Sequence, residues 1–134
     1  MKLFQYIVLC SAAITLSAGT LQAQKRKKGF TREQHKEALQ RHYRELIDMA
    51  DNKHCNNPNE FAFAPFGSKA CGGPQTYIIY SKYIDTKKFL EKLAQYNAAE
   101  ANYNQRWDIK SDCTVAPVPT GIKCEDNKPV PVYE

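Results

Sequence analysis

Apolar residues recur at helical spacing twice along this chain, with strand-like runs between and after the two stripes. In the first stripe Leu39, Tyr43, Leu46, Ile47 and Ala50 share one face behind Thr31-Arg32-Glu33-Gln34. That opening is a capping box: the Thr31 hydroxyl accepts from a free backbone amide and Gln34 reaches back to the cap. A helix is expected from there to about Asn52. The second stripe is broader, taking in Phe89, Leu90, Leu93, Tyr96, Ala101, Tyr103 and Trp107. With Asp85 or Thr86 as its cap, it predicts a helix to about Trp107. Between them Thr76-Tyr77-Ile78-Ile79-Tyr80 is β-branched and aromatic and reads as a strand. After Asp112 the chain turns strand-like again over residues 114–118, 122–124 and 130–132, a meander or hairpin whose prolines confine it to sheet edges. The pattern defines an α+β fold in which two amphipathic helices pack on a small antiparallel sheet. No internal repeat is visible.

Residues 54–74 carry Pro58, Pro65, Pro74, Gly67, Gly72, Gly73 and two cysteines, a composition that excludes a long regular element. A braced loop is expected, anchored by Phe61, Phe63 and Phe66, with Phe61 and Phe63 alternating as in a short strand.

The N-terminus has a different character. Met1-Lys2 is followed by an apolar run of about fourteen residues and then by small and polar residues ending Leu21-Gln22-Ala23-Gln24, the three-part pattern of a secretory signal. A bilayer span needs roughly twenty residues, so a signal removed near Ala23 fits better than an anchor. Cys10 lies inside the run rather than after it, which disfavours lipid attachment. Export would leave roughly 110 residues with a modest core, without a transmembrane segment in the mature chain. Residues 24–30 read as a basic disordered arm and residues 31–134 as a single domain.

Charge sharpens this division. The formal net charge is +5, but Lys2 supplies one unit and Lys25, Arg26, Lys27 and Lys28 the rest, leaving the body formally neutral. A nucleic-acid-binding domain would carry its basic excess on the body, so nucleic acid is not an expected partner. The arm is suited at most to weak, salt-sensitive contact with anionic surfaces.

Four cysteines remain after the signal: Cys55, Cys71, Cys113 and Cys124. In an oxidising compartment an even number predicts two disulfides. A zinc site with His54 would want paired, closely spaced cysteines, which are absent. Three connectivities are possible. The local pairs Cys55–Cys71 and Cys113–Cys124 are favoured because they close the shortest loops and cost little chain entropy to form.

Candidate chemistry is sparse. Asn97, Glu100 and Asn104 fall inside the apolar stripe of the second helix rather than on its wet face. An unpaired inward carboxylate is costly, so Glu100 either braces the poorly laddered loop of residues 67–74 or serves as an acid/base group in a cleft. Bracing is the favoured reading. Ser68, Lys69, Gly72 and Gly73 lie on that loop, where glycines beside a half-cystine permit unusual backbone. A protruding Lys69 on a rigid loop would suit inhibition of a trypsin-like protease. The glycines do not form a phosphate-binding loop, because the Gly-x₄-Gly-Lys-Ser/Thr pattern is missing. His35 and His42 are about 10 Å apart along a helix, too far to share a metal. No motif of a hydrolase or metalloenzyme occurs, and neither a cofactor nor a catalytic residue is assigned. Tyr77, Tyr80 and Tyr83 border one strand and offer contact area for a partner.

Phe66-Gly67-Ser68-Lys69-Ala70-Cys71-Gly72-Gly73-Pro74, then Tyr77-Ile78-Ile79-Tyr80-Ser81, Tyr96-Asn97 with Glu100, and Ser111-Asp112-Cys113 before a last Cys124, together resemble small exported bacterial proteins built on a Cys-Gly-Gly-Pro loop and an Asp-Cys tail. The resemblance implies export and two disulfides, and brings no catalytic residues with it. The chain is therefore expected to be a periplasmic or secreted non-enzymatic binding module for another envelope or extracellular protein, acting through Ser68, Lys69, Gly72, Gly73, Tyr77, Tyr80 and Glu100. The alternatives are a protease or lysozyme inhibitor using residues 66–74, and a small hydrolase or lyase with Glu100 as general acid/base.

Overall fold

A computed structural model describes residues 29–134; the expected signal at residues 1–23 and the basic run at residues 25–28 lie outside the described residues. Helix α1 spans Arg32–Met49, strand β1 Phe61–Phe66, β2 Thr76–Ser81, helix α2 Thr86–Arg106, β3 Gly121–Glu125 and β4 Lys128–Val132. The capping box forms as expected: Gln34 N donates to Thr31 Oγ1 at 3.2 Å and Thr31 N to Gln34 Oε1 at 3.0 Å. Asp85 caps α2 by accepting from Lys88 N at 3.1 Å. Helix α1 ends at Met49, three residues short of the expected limit, where Asp51 turns to positive φ.

The fold is α+β, but its strands form two separate antiparallel pairs, β1–β2 and β3–β4, rather than one sheet. Alternation explains how they stack. Ala64, Phe66, Ile78 and Tyr80 point to one face of β1–β2 and pack on Leu46, Ala50, Phe89, Leu93 and Tyr96 of the helices. Phe61 and Ile79 point the other way, onto Cys55, Phe63, Ile122 and Cys124. With both faces covered, residues 78–81 are buried without a break, which accounts for the continuous apolar run.

The short strand expected around Phe61 and Phe63 forms as the six-residue β1, and Pro65 is tolerated in it because the two-stranded pair has a free edge. Two further expectations need correction. Residues 114–118 form no strand and stay unpaired. Leu90 and Ala101 are exposed, so the buried stripe of α2 reduces to Phe89, Leu93 and Tyr96. The final hairpin does form. Asp126 and Asn127 both take positive φ, +48° and +60°, as a two-residue type I′ turn demands. Pro129 and Pro131 face Cys124 and Ile122, the alternate positions whose amides would point away from the partner strand.

The disulfides join distant parts of the chain. Cys55 pairs with Cys124 and Cys71 with Cys113, not the local partners expected. Loop entropy favours short closures, but the backbone settles which cysteines meet. Cys55 N donates to Asn127 O at 2.9 Å, setting residue 55 beside the β3–β4 hairpin. Among the described residues no helix is long and apolar enough to cross a membrane.

Candidate functional site

Among the described residues the loop between β1 and β2 is the most heavily tied irregular segment. Gly67, Gly72 and Gly73 all take positive φ, and Lys69 N donates to Gly73 O at 2.9 Å to close the turn. A Cβ on Gly67 would lie 2.9 Å from Glu100 Oε2, so glycine is required there by close approach as well as by backbone angle.

Three side chains one turn apart on α2 satisfy the loop backbone. Gly67 N donates to Asn97 Oδ1 at 2.8 Å, and Asn97 Nδ2 donates to Pro65 O at 3.1 Å. Ser68 N donates to Glu100 Oε2 at 2.6 Å, and Asn104 Nδ2 to Ser68 O at 2.7 Å. Gln75 Nε2 donates to Glu100 Oε1 at 2.9 Å, with the Tyr96 hydroxyl also reaching that oxygen at 3.4 Å. The inward polar set read from the helical pattern is thus a brace for the loop. Burial lifts the Glu100 carboxyl above the usual carboxylate range, outweighing the bonds from Ser68, Tyr96 and Gln75 that pull it down. Burial, with the negative charge of Glu100 second, raises the Tyr96 hydroxyl.

Lys69 does not protrude. Its side chain is only 14% exposed, and Nζ donates to Asp112 Oδ1 at 2.7 Å, Thr114 O at 2.6 Å and Thr114 Oγ1 at 3.0 Å. Two oxygens and a carboxylate in the tail outcompete water for the ammonium once the Cys71–Cys113 bridge brings the tail alongside. Ala70 N donates to Ser111 Oγ at 3.1 Å. Loop and tail therefore form one unit, with α2 bracing the loop and the loop holding the tail.

Two hollows flank this unit. One, of about 510 Å³, lies between the loop and the end of α2, lined by residues such as Ser68, Ala101, Gln105 and Ile109. The other, of about 580 Å³, runs between α1 and α2 and is lined by Tyr43, Tyr96, Tyr103 and Glu100 with Lys36 and Arg44 at its rim. Glu100 thus borders the groove, but its two oxygens already take three hydrogen bonds, so proton transfer to a bound molecule would break the brace.

The other candidates divide. Tyr80 is buried against Phe89, with ring centroids 4.9 Å apart, and is a core residue rather than a contact residue. Tyr77 is half-buried with its ring edge-on to Phe63, whereas Tyr83 is exposed. Ser68, Gly72 and Gly73 lie on the braced loop as expected. Sequence reasoning missed Gln75, Ser111, Asp112 and Thr114 as its partners. The Asp-Cys pairing next to a threonine was their only signal, and long-range contact does not register in local pattern. Tyr43 and Tyr103 of the groove read simply as core.

No protein-family model, curated protein or solved structure matches this chain.

Proposed function

We propose that the chain is exported, loses residues 1–23, and acts as a non-enzymatic module that binds another envelope or extracellular protein through the loop of residues 66–75 and the tail laid against it. The observation that carries this reading is the locking of residues 111–114 onto the loop by Lys69, Ser111 and the Cys71–Cys113 bridge. A surface fixed before contact loses little freedom on binding. Lys69 is consumed in that lock, which removes the basic plug from consideration, and the engagement of both Glu100 oxygens weighs against an acid/base role. Two disulfides accord with an oxidising compartment. The basic residues 25–28 would add a salt-sensitive contact with anionic surfaces.

Two measurements test this. The mass of the protein recovered from the periplasm or medium should correspond to a chain beginning at Gln24; an uncleaved Met1 form held in the cytosol refutes export. A photoreactive phenylalanine at Val115 should give a discrete cross-linked product with an extracellular protein. The same probe at Leu90, about 15 Å along α2 from Glu100 by helical rise, should not. Equal labelling at both positions refutes the assignment of the face.

A further inference from the structure

The groove of about 580 Å³ between α1 and α2 has fixed walls. At one end Arg32 Nε donates to the Tyr103 hydroxyl at 3.4 Å and Trp107 Nε1 to His35 Nδ1 at 3.4 Å, and at the other Lys92 pairs with Glu45. The helices are thus pinned on both sides of the opening, and its size and aromatic lining fall in the range of small-molecule sites. The loop brace decides what the inner lining offers. Gln75 Nε2 is spent on Ser68 O at 3.3 Å and Glu100 Oε1 at 2.9 Å, and Asn104 Nδ2 donates to Ser68 O at 2.7 Å. Each amide nitrogen faces an acceptor, so the amide orientations are settled, and among the described residues Gln75 Oε1 and Asn104 Oδ1 are left without a donor. Glu100 takes three hydrogen bonds on a carboxylate with roughly four lone-pair sites, so it can accept once more. The rim is opposite in sign. Lys36 and Arg44 stand two turns apart on α1, about 12 Å by helical rise, and neither pairs with a carboxylate among the described residues.

We propose that this groove binds a small zwitterion of amino-acid type, with its primary ammonium taken by Glu100, Gln75 and Asn104 and its carboxylate by Lys36 and Arg44. The apolar part of the ligand lies against Leu39 and Ile109, which line the same groove. Charge and hydrogen-bond count select this occupant. A primary ammonium brings three donors and a positive charge, matching two amide oxygens and a carboxylate. The faces of Tyr43 and Tyr103 in the lining attract a cation as well. A simple fatty anion would lay an alkyl chain over Glu100 and leave the amide oxygens unmet, while a simple amine would leave the two rim cations without a counter-charge. Because the brace already fixes Gln75, Glu100 and Asn104, little ordering is lost when the ligand enters. Glu100 accepts from the ligand without releasing Ser68, so binding and bracing coexist. The groove is separate from the loop–tail face proposed above and stands whether or not that face binds a protein.

The test titrates the full disulfide-bonded chain with L-leucine, ε-aminocaproate, hexylamine and hexanoate, following backbone amide shifts by NMR. The first two carry both charges, close together and far apart, and the last two carry one each. At least one zwitterion should bind with a Kd below about 1 mM, and hexylamine and hexanoate should bind about tenfold more weakly or worse. The shifts should centre on Tyr43, Gln75 and Asn104. Lys36→Ala and Arg44→Ala should each weaken the zwitterion by about tenfold while leaving hexylamine no weaker. Glu100→Gln, which keeps an acceptor but removes the charge, should weaken both the zwitterion and hexylamine by about tenfold and leave hexanoate no weaker. Lys36 and Arg44 are exposed, so those two variants should melt with the parent, which separates loss of binding from loss of fold. Failure of both zwitterions to bind the folded parent with a Kd below about 10 mM overturns the proposal. So does hexylamine or hexanoate matching the better zwitterion, and so does parent-like binding by a folded Glu100→Gln.

Discussion

Replacing Glu100 by leucine removes the acceptor at the centre of the loop brace. Ser68 N, part-buried and 2.6 Å from Oε2, loses a charged partner, and Gln75 Nε2 loses one at 2.9 Å. A hydrogen bond to a charged group contributes about 1.5–3 kcal/mol, with the Gln75 bond at the low end because it is exposed to water. A half-buried leucine recovers about 1 kcal/mol through apolar contact. The net expectation is a loss of about 2–3 kcal/mol, or a fall in Tm of about 10–15 °C for a chain of this size. Glu100→Gln keeps an acceptor of the same shape and should stay within about 1 kcal/mol of the parent. Thermal melts followed by circular dichroism, with both disulfides intact, read both values. The pH dependence gives a second measure. Because burial lifts the folded-state carboxyl above its unfolded value, its titration contributes stability that is fully present below the unfolded pKa and lost as pH rises through the folded pKa. The parent's stability relative to the non-titrating E100Q should therefore be greatest in acid and decline as pH rises. Leucine as stable as glutamate would refute the brace, and a parent advantage that grows with pH would refute the dominance of burial.

Three further outcomes are expected. Gly67→Ala, which forces a Cβ to 2.9 Å from Glu100 Oε2 at φ +78°, should cost about 2–4 kcal/mol in a denaturant titration, whereas Gly72→Ala and Gly73→Ala, with open space around them, should cost only about 1–2 kcal/mol each. Under mild reductant followed by alkylation and mass spectrometry, Cys71 and Cys113, both exposed, should label before Cys55, which is 3% exposed, and its partner Cys124; the reverse order would contradict the burial pattern. Lys69→Met should lower the backbone amide order parameters of residues 112–116 measured by NMR relaxation while leaving those of β1 and β2 unchanged, since the lysine holds the tail and not the strands.

Much of the fold was legible where local chemistry decides. The Thr31–Gln34 box, the Asp85 cap and the run at residues 76–80 are settled within a few residues of themselves. The inward Asn97, Glu100 and Asn104 were legible for a related reason: a polar set on an apolar stripe must find partners, and the loop across from it has amides to offer. What failed depended on residues far apart in the chain. The disulfide partners follow from the hairpin docking beside residue 55, which no short window contains. Residues 114–118 look like a strand, but a strand needs a neighbour, and the tail's anchors hold it away from either pair. Lys69 seemed to protrude because its partners lie more than forty positions later.

The two bridges are nested, Cys71–Cys113 lying inside Cys55–Cys124 in sequence. Consequently no single peptide-bond cut between residues 55 and 124 can divide the oxidised molecule. A break at the exposed Val115 or Val118 would leave one new end tied through Cys113 and the other through Cys124, both still seated on the same body. Scission there would change the mass by one water and split the chain in two only after reduction.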